Sequence, residues 1–338
     1  MKRRVTLIPG DGIGPEITAA TLKVLAAAGA EFEWDEQLAG MAAMEETGTP
    51  LPDATLESLR QTQLGLKGPL ATPVGGGFRS INVALRKEFD LYANVRPAKT
   101  IVPGGRYENV DIVLVRENTE GLYSGFEGII GIGGDPKAMA QSVAYTTRYG
   151  CERIARFAFE YAVSHGRKKV TICHKANILK ALTGLFLEVS RAVAQEYAGR
   201  VAVDDIIVDA CAMKLVLDPT QFDMIVTTNM FGDILSDEIA GLIGGLGLAP
   251  GANIGAKGAL FETVHGSAPD IAGKGVANPS ALILAGCMML DHVGEPSRAD
   301  RVRRALEQVI RDDHVRTPDL KGDATTLGFA DAVCRRLG

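Results

Sequence analysis

The sequence predicts an α/β protein with a largely parallel sheet. Short apolar runs, which are typical of buried strands, alternate with longer stretches in which apolar residues recur at helical spacing. Strands that are separated by helices usually pair in parallel, because each helix carries the chain back across the sheet. The length of 338 residues is also enough for two domains.

Each element is predicted from its own pattern. The apolar runs predict strands at Arg4–Pro9, Gln63–Leu66, Asp111–Arg116, Lys169–His174, Asp205–Val208 and Met224–Thr227. Helical spacing predicts helices at Glu16–Ala28, Cys151–Ser164, Ile178–Glu196, Ile234–Leu246, Pro279–Val293 and Arg298–Arg311. Several glycines interrupt the alternation within residues 125–148, and we expect a hairpin-like excursion there that packs on a partner chain.

Composition and charge exclude several classes of protein. The chain is 46% hydrophobic and 23% charged, as soluble globular proteins are. Its net charge of -5 argues against nucleic acid or an anionic membrane as a partner. The five cysteines are scattered, which favours reduced core thiols over disulfides or a zinc site. We find no signal peptide and no apolar run near the ~20 residues of a membrane helix, and we expect a cytoplasmic location.

Residues 72–97 predict an anion-binding site. They read TPVGGGFRSINVALRKEFDLYANVRP, in which the glycines Gly75 to Gly77 precede a predicted helix start. Unpaired N–H groups at a helix start attract anions, and the planar guanidinium of arginine suits carboxylates. The residues that point to the site are Ser80, Asn82, Arg86 and Arg96. The alternative is an ordinary capped helix with solvated arginines.

A glycine-rich motif near the N-terminus suggests a Rossmann nucleotide site at first sight. The motif PGDGIGPEI has glycines at Gly10, Gly12 and Gly14, which is not the spacing G-x-G-x-x-G. No acidic residue ends a second strand at the expected distance. We interpret the motif as a glycine-rich turn with Pro15 at the first helical position.

Paired carboxylates predict a site for a divalent metal ion. The motif NMFGDILSDEIAGLIGG follows the predicted strand DMIVTTN, and its Asp233 and Asp237 share one helical face. Neighbouring like charges repel each other unless a cation lies between them, and Mg²⁺ and Mn²⁺ prefer carboxylate oxygens. Asp209, at the end of another predicted strand, is a third possible ligand. Alternatively, the acids only complement the helix dipole.

Two further motifs place reactive side chains directly after predicted strands. Lys175 and Asn177 lie in HKANILK, and Arg116 and Tyr123 lie in RENTEGLYSG. A lysine beside a metal ion and other cations can lose its proton and act as a base. The alternatives are a solvated lysine, a surface arginine and a half-buried tyrosine with a hydrogen-bond partner.

Together these motifs resemble the β-decarboxylating dehydrogenase family, which includes isocitrate, isopropylmalate and homoisocitrate dehydrogenases. The resemblance extends over nearly the whole chain, from GDGIGPE to HGSAPDIAGKGVANP. It implies the two-domain isopropylmalate dehydrogenase-like fold, with a mixed, largely parallel central sheet and a non-Rossmann dinucleotide site. The large cofactor-binding domain would comprise residues 1–97 and 250–338. Residues 98–249 would form a small inserted domain with the dimer interface and metal ligands, and the domains would close on a substrate in their cleft.

The resemblance also implies roles for these residues. The substrate carboxylates would be bound by Arg86, Arg96 and Arg116. Proton transfer would involve Tyr123, Lys175 and Asp209. The protein ligands of Mg²⁺ or Mn²⁺ would be Asp209, Asp233 and Asp237. Lys175 and Asp209 would reach in from the second subunit of a homodimer or higher homo-oligomer with shared active sites.

The implied reaction is the NAD-dependent oxidative decarboxylation of isocitrate to 2-oxoglutarate and CO₂. Ser80 and Asn82 resemble the isocitrate type's contacts to the third carboxylate, and they would leave an isopropyl group facing unpaired polar atoms. Homoisocitrate stays open, because one methylene changes the binding free energy by only ~1–3 kcal/mol. Isopropylmalate and tartrate-type substrates also stay open, as does a non-catalytic regulatory role in a hetero-oligomer.

The implied cofactor is NAD rather than NADP. HGSAPDIAGKGVANP resembles the family's adenosine loop, in which Asp270 and Ile271 would read the ribose. A carboxylate accepts hydrogen bonds from both ribose hydroxyls and repels a 2′-phosphate. The remaining implied cofactor contacts are Thr72, Asn82, Asn177, His265, Gly266 and Asn278.

Overall fold

The computed structural model describes residues 2–73 and 77–338, so Gly75 and Gly76 of the predicted anion site lie outside the described residues. In chain order the strands are β1 (Arg3–Ile8), β2 (Phe32–Glu36), β3 (Leu64–Lys67), β4 (Ala93–Lys99), β5 (Asp111–Glu117), β6 (Glu127–Ile132), β7 (Asp135–Ser142), β8 (Lys169–His174), β9 (Ala202–Ile207), β10 (Met224–Thr227), β11 (Pro250–Ile254) and β12 (Ala259–Thr263). The helices are α1 (Gly14–Ala27), α2 (Met41–Thr47), α3 (Asp53–Thr62), α4 (Ile81–Glu88), α5 (Arg148–Ser164), α6 (Leu182–Gln195), α7 (Val208–Leu217), α8 (Asn229–Ile243), α9 (Ser280–His292), α10 (Pro296–Arg311) and α11 (Thr326–Leu337).

The chain forms two compact units. The first comprises Met1–Leu91, Arg96–Val110 and Ile239–Gly338, and the second comprises Tyr92–Val95 and Asp111–Glu238. The domain boundaries that the sequence predicts, after residues 97 and 249, stay a prediction. The units assign residues 98–110 and 239–249 to the first unit.

The first unit contains a mixed sheet with the strand order β2-β1-β3-β12-β11. Its pairs are parallel except for β11 and β12, which form an antiparallel pair. Helix α4 is held on this sheet by Ile81 and Leu85, which lie four residues apart and pack with Ile8, Leu59 and Leu260 in one buried cluster. The amphipathic spacing of α4 therefore fixes the orientation of the helix that carries Asn82 and Arg86.

The second unit contains a parallel sheet with the order β5-β10-β8-β9. Consecutive pairs are in register at their carboxyl ends, with Arg116 opposite Thr227 and His174 opposite Ile207. The residues that follow these strands therefore lie along one edge of the sheet. Together with the first unit, this arrangement confirms the predicted α/β class with a mixed, largely parallel sheet.

The interruption at residues 125–148 contains the antiparallel hairpin of β6 and β7. Every residue of both strands is exposed, including Ile129 and Ile132. Packing of this hairpin on a partner chain stays a prediction. None of the described helices combines the length and apolar character that a membrane span requires.

Candidate active site

The predicted residue Arg116 lies at the carboxyl end of β5 in the second unit, almost completely buried. Its Nε and Nη2 groups donate hydrogen bonds of 3.0 and 2.7 Å to Oδ1 of Asn229. Its Nη1 group pairs with Asp233 Oδ1, and its guanidinium carbon lies 5.1 Å from the ring centre of Tyr123. Only 1% of the Arg116 side-chain surface is exposed, so Arg116 is not the solvated surface arginine of the alternative interpretation.

Tyr123 and Asp233 complete this group. Tyr123 lies in a single turn of 3₁₀ helix at Gly121–Ser124, and its hydroxyl donates a hydrogen bond of 2.5 Å to Asp233 Oδ2. Asp233 is about one-third exposed, at 35% of its side-chain surface. We call Arg116, Tyr123, Asn229 and Asp233 the Arg116 cluster. The structure thus brings together three residues that the sequence singled out, and adds Asn229, which it did not.

Asp233 and Asp237 are the carboxylates of α8 that the sequence predicts as metal ligands. Asp233 and Asp237 are four residues apart on α8, and Asp237 is exposed. Within residues 2–73 and 77–338 there is no group of three or more His, Cys, Asp or Glu side chains that could hold a metal ion. Asp209 therefore does not join Asp233 and Asp237 within one chain. Two carboxylates fit a Mg²⁺ or Mn²⁺ site that is completed by other oxygen donors.

Lys175 and Asp209 form a second pair at the same edge of the sheet, because they closely follow the adjacent strands β8 and β9. Lys175 Nζ lies 2.5 Å from Asp209 Oδ1, and the Asp209 side chain is 67% exposed. The hydrogen bond from Lys175 lowers the pKa of the Asp209 carboxyl, so this acid stays ionised. Asn177 is exposed two residues further on.

One detail of the predicted strands is wrong here. The predicted strand Asp205–Val208 is displaced, since β9 ends at Ile207 and Asp209 lies in the first turn of α7. The sequence DDIIVD does not reveal the boundary, because Val208 is β-branched and continues the pattern of a strand.

A buried charged cluster surrounds Arg86 in the first unit. Glu262 Oε2 lies 2.9 Å from Lys67 Nζ, and Glu262 Oε1 lies 3.3 Å from Arg86 Nη2. Asn253 Nδ2 donates a further hydrogen bond of 2.8 Å to Glu262. Burial alone would raise the pKa of Glu262, but the charges of Lys67 and Arg86 and the amide of Asn253 hold it well below its usual range. We call these four residues the Glu262 cluster.

The Glu262 cluster has chemistry suited to an anion. It contains two cations and one carboxylate, with side-chain exposures of only 1%, 8% and 6% for Lys67, Arg86 and Glu262. In the described part of the chain, Arg86 Nε is buried without a hydrogen-bond partner. A buried excess of positive charge and an unpaired donor are both stabilised by a bound anion.

The helix start at residues 80–82 adds polar groups to the first unit. Ser80 caps α4 by accepting a hydrogen bond of 3.4 Å from the N–H of Val83, and Asn82 Oδ1 is buried without a partner among the described residues. Arg96 is buried on β4, and Thr72 is exposed. Burial of Arg86 and Arg96 excludes the alternative in which both arginines are solvated.

The loop that resembles an adenosine site has open space beside Gly266 and one buried polar atom without a partner among the described residues. His265 Nε2 is buried without a partner in the described chain, and burial lowers the pKa of His265, so its ring is neutral. Asn278 is held by Asp319, whose Oδ2 accepts a hydrogen bond of 2.9 Å. At Gly266 an added Cβ would meet nothing within 4 Å. A neutral imidazole, an oriented amide and open space fit a dinucleotide.

The side chains that would read the ribose lie in the same loop. Asp270 and Ile271 lie in a 3₁₀ turn at Pro269–Ile271, where Asp270 is exposed and Ile271 is half-buried. The glycine-rich turn before α1 and the first turn of α1 support this loop. Glu16 accepts a hydrogen bond of 2.9 Å from the N–H of Gly275, and a Cβ at Gly12 would lie 2.0 Å from the Ser267 carbonyl oxygen.

Sequence reasoning missed Lys67, Glu262, Asn253 and Asp319. Lys67 and Glu262 end or nearly end the apolar runs LGLK and ALFET, which form neighbouring parallel strands. A charged residue at the carboxyl end of a short buried strand was the available signal. The two runs are far apart in sequence, so only the fold reveals that their charges pair.

An α/β fold that carries buried cations and clustered acidic side chains is typical of enzymes that act on small molecules. Residues 4–333 match the sequence family described as isocitrate/isopropylmalate dehydrogenase. The chain belongs to this family, as its motifs predict.

Individual relatives support the same grouping. The chain is 48% identical over 335 residues to isocitrate dehydrogenase [NAD] catalytic subunit 5, mitochondrial, of Arabidopsis thaliana, covering 98% of this chain and 88% of the relative. It is 46% identical over 339 residues to a mitochondrial regulatory subunit of isocitrate dehydrogenase [NAD] from Dictyostelium discoideum, covering 99% and 92%. The crystal structure of isocitrate dehydrogenase from Methylococcus capsulatus superposes with a TM-score of 0.96 at 57% identity, covering 100% of this chain and 99% of that one.

These names correct one expectation and leave another without support. The predicted cytoplasmic location is wrong, because the relatives from Arabidopsis thaliana and Dictyostelium discoideum are named as mitochondrial. The composition could not have shown this, since soluble proteins of both compartments share it. The names also describe catalytic and regulatory subunits, and they do not support the predicted homo-oligomer.

Proposed function

We propose that the chain catalyses the NAD-dependent oxidative decarboxylation of isocitrate to 2-oxoglutarate and CO₂. The observation that carries this proposal is the buried Glu262 cluster, with its excess positive charge and the unpaired Nε of Arg86. Such a site favours a substrate with several carboxylates. The names of the relatives supply the particular acid and the cofactor.

Three arginines would bind the substrate carboxylates. Arg86, Arg96 and Arg116 are all buried, so their charges interact strongly with an anion that displaces water. Ser80 and Asn82 would contact the third carboxylate, and the partnerless Oδ1 of Asn82 is consistent with a ligand at this helix start.

Proton transfer would use side chains of the second unit. Lys175 and Asp209 of a second copy of the chain would act as a relay: Lys175 would give one proton to ionised Asp209 across their 2.5 Å contact and would then accept the proton of the substrate's 2-hydroxyl. Tyr123 would protonate the enol carbon after CO₂ is lost. Its hydroxyl lies 2.5 Å from Oδ2 of Asp233, so it is next to a proposed metal ligand.

A metal ion and NAD complete the proposed chemistry. Asp233 and Asp237 would hold Mg²⁺ or Mn²⁺, together with Asp209 from a second copy of the chain. A bound metal ion would supply Lewis-acid stabilisation of negative charge on the substrate oxygens, and NAD would supply the oxidant. The proposed cofactor contacts are Thr72, Asn82, Asn177, His265, Gly266, Asp270, Ile271 and Asn278.

We propose a homodimer or higher homo-oligomer with shared active sites. The incomplete set of metal ligands within the described part of one chain supports this, as does the exposed apolar surface of the β6–β7 hairpin. An apolar surface of this kind is typical of a protein interface. The proposed domains stay residues 1–97 with 250–338, and residues 98–249.

The proposal is tested by an NAD-reduction assay on the purified chain. Isocitrate, homoisocitrate, 3-isopropylmalate and tartrate are compared, each with and without EDTA. We expect turnover with isocitrate that EDTA abolishes. Faster turnover of homoisocitrate would identify that tricarboxylate as the substrate instead. Binding of isocitrate without any NAD reduction would favour a regulatory subunit, the role in the name of one relative.

A further inference from the structure

Asn229 lies at a junction that the proposed mechanism does not use. It is the first residue of α8 and is 1% exposed. Its Oδ1 accepts both hydrogen bonds from Arg116, at 3.0 and 2.7 Å. Its Nδ2 donates a hydrogen bond of 3.1 Å to the carbonyl oxygen of Glu120. Both ends of one buried amide are therefore engaged with different segments of the chain.

The carbonyl of Glu120 begins the turn that carries Tyr123. Glu120 directly precedes the 3₁₀ turn Gly121–Ser124. Its own carboxylate is occupied elsewhere, because it accepts hydrogen bonds of 2.8 and 2.5 Å from the N–H and hydroxyl of Thr147. The hydrogen bond from Asn229 thus ties the start of the Tyr123 turn to α8.

The first turn of α8 also fits closely around Arg116. A Cβ added at Gly232 would lie 2.6 Å from Arg116 Cγ and 2.7 Å from its Cβ. Distances below 3.0 Å require a shift, so glycine is needed where the helix packs on the arginine stem. The lack of a side chain at Gly232 therefore lets α8 pack closely against the aliphatic part of Arg116, while Asn229 and Asp233 accept hydrogen bonds from its guanidinium.

We propose that Asn229 is a positioning residue that fixes Arg116 and Tyr123 relative to each other. This inference rests on the proposed function, in which Arg116 binds a substrate carboxylate and Tyr123 transfers a proton. An amide suits the position because it accepts and donates hydrogen bonds at the same time. Alanine would leave two donors of Arg116 and one carbonyl without this partner, and aspartate could not donate to the carbonyl.

The test compares two substitutions with a matched control. Asn229→Ala removes both contacts, and Asn229→Asp is nearly isosteric and secures a folded variant. Thr21→Val is the control, because Thr21 is fully buried on α1 in the first unit and donates a hydrogen bond of 2.8 Å to the Ile17 carbonyl. All three variants lose a buried hydrogen bond, so thermal unfolding should report similar destabilisation.

Only the Asn229 variants should change the kinetic constants. We expect KM for isocitrate to rise and kcat to fall, each by about tenfold or more, because a misplacement of 1 Å can cost about a hundredfold in rate. Both constants of Thr21→Val should stay within about twofold of the wild type. Kinetic constants of the Asn229 variants that match those of Thr21→Val would overturn the inference.

A crystal structure of Asn229→Ala gives a readout that does not need activity. In this variant we expect the Arg116 guanidinium and the Tyr123 hydroxyl to be displaced from their wild-type positions, and the distance between them to change. If both side chains stay in place, the inference is wrong whatever the substrate is. A wild-type chain that does not turn over isocitrate would count against the proposed function alone.

Discussion

The two charged clusters hold an arginine in different ways. In the Glu262 cluster the carboxylate is 6% exposed and pairs with two cations, so positive charge is in excess. In the Arg116 cluster the acid is 35% exposed and also accepts a hydrogen bond from a tyrosine. The buried cluster suits recognition of an anion, whereas the exposed acids of the second unit remain accessible to a metal ion and to proton transfer.

This comparison predicts that substitutions in the second unit act mainly on the chemical step. Lys175→Met should lower kcat by about a hundredfold to ten-thousandfold, the usual contribution of a positioned acid or base. Lys169→Met is the control, since Lys169 forms an ion pair of 3.2 Å with Asp204 at the other end of β8. Initial rates of NAD reduction measure both. Equal losses in the two variants would contradict the catalytic role of Lys175.

The first unit should instead combine recognition with stability. Glu262→Gln leaves Lys67 and Arg86 buried without their carboxylate, which should cost about 3–5 kcal/mol of unfolding free energy at neutral pH. Glu196→Gln is the control, because Glu196 forms an exposed ion pair of 2.7 Å with Arg156, and its loss should change the stability very little. Urea unfolding distinguishes these values, and equal costs would refute the proposed energetic difference.

The pH dependence of the Glu262 contribution has a definite sign. The folded state holds the pKa of Glu262 below its ordinary value of 4.5. Its stabilising effect is therefore fully present above that pH and is lost as the pH falls. The gap in unfolding free energy between wild type and Glu262→Gln should narrow as the pH is lowered below about 4.5. A gap that widens on acidification would contradict this assignment.

Cofactor choice should depend on the first unit. Asp270→Lys combined with Ile271→Tyr should shift the ratio of kcat/KM for NAD over NADP toward NADP by about tenfold or more, because a cation replaces a carboxylate at the 2′ position. Glu46→Lys makes the same charge change at an exposed position of α2 and should leave the ratio unchanged. A wild-type preference for NADP would refute the role given to Asp270.

The smallest effect concerns the cap of α4. Ser80→Ala should cost about 1 kcal/mol of stability, since its hydroxyl caps α4, and it should also raise KM for isocitrate if the hydroxyl contacts the substrate as proposed. Thr325→Ala removes a comparable cap on α11, where Thr325 accepts a hydrogen bond of 3.0 Å from Gly328. Unfolding and kinetics are measured on both variants. If KM changes equally in both, Ser80 has no part in binding.

The second unit's site was more predictable from sequence than the first unit's. Arg116, Tyr123 and Asp233 follow clear apolar strands, and all three lie together in the structure. The strands β11 and β12 were missed because the sequence around them is rich in glycine, which obscures the apolar pattern of a strand. Glu262 was missed with them, since its role depends on pairing with β3 far away in the sequence.

Element boundaries were the least predictable part of the fold. The helix predicted at Ile178–Glu196 begins at Leu182, because residues 175–181 form turns after β8. The helix that the sequence predicts from Ile234 begins earlier, at Asn229. No motif in the sequence analysis pointed to Asn229. Asn229 makes its hydrogen bonds to Arg116 and Glu120, which are more than a hundred residues away in the sequence, so a local pattern does not reveal them.

The central claim is that the second unit's aspartates hold a divalent metal ion that binds isocitrate. Anomalous diffraction from crystals soaked with Mn²⁺ and isocitrate tests it directly. We predict a manganese peak bound by Asp233 and Asp237, with Asp209 from a second copy and the substrate completing the oxygen shell. Bound isocitrate with no manganese at these carboxylates would contradict the account.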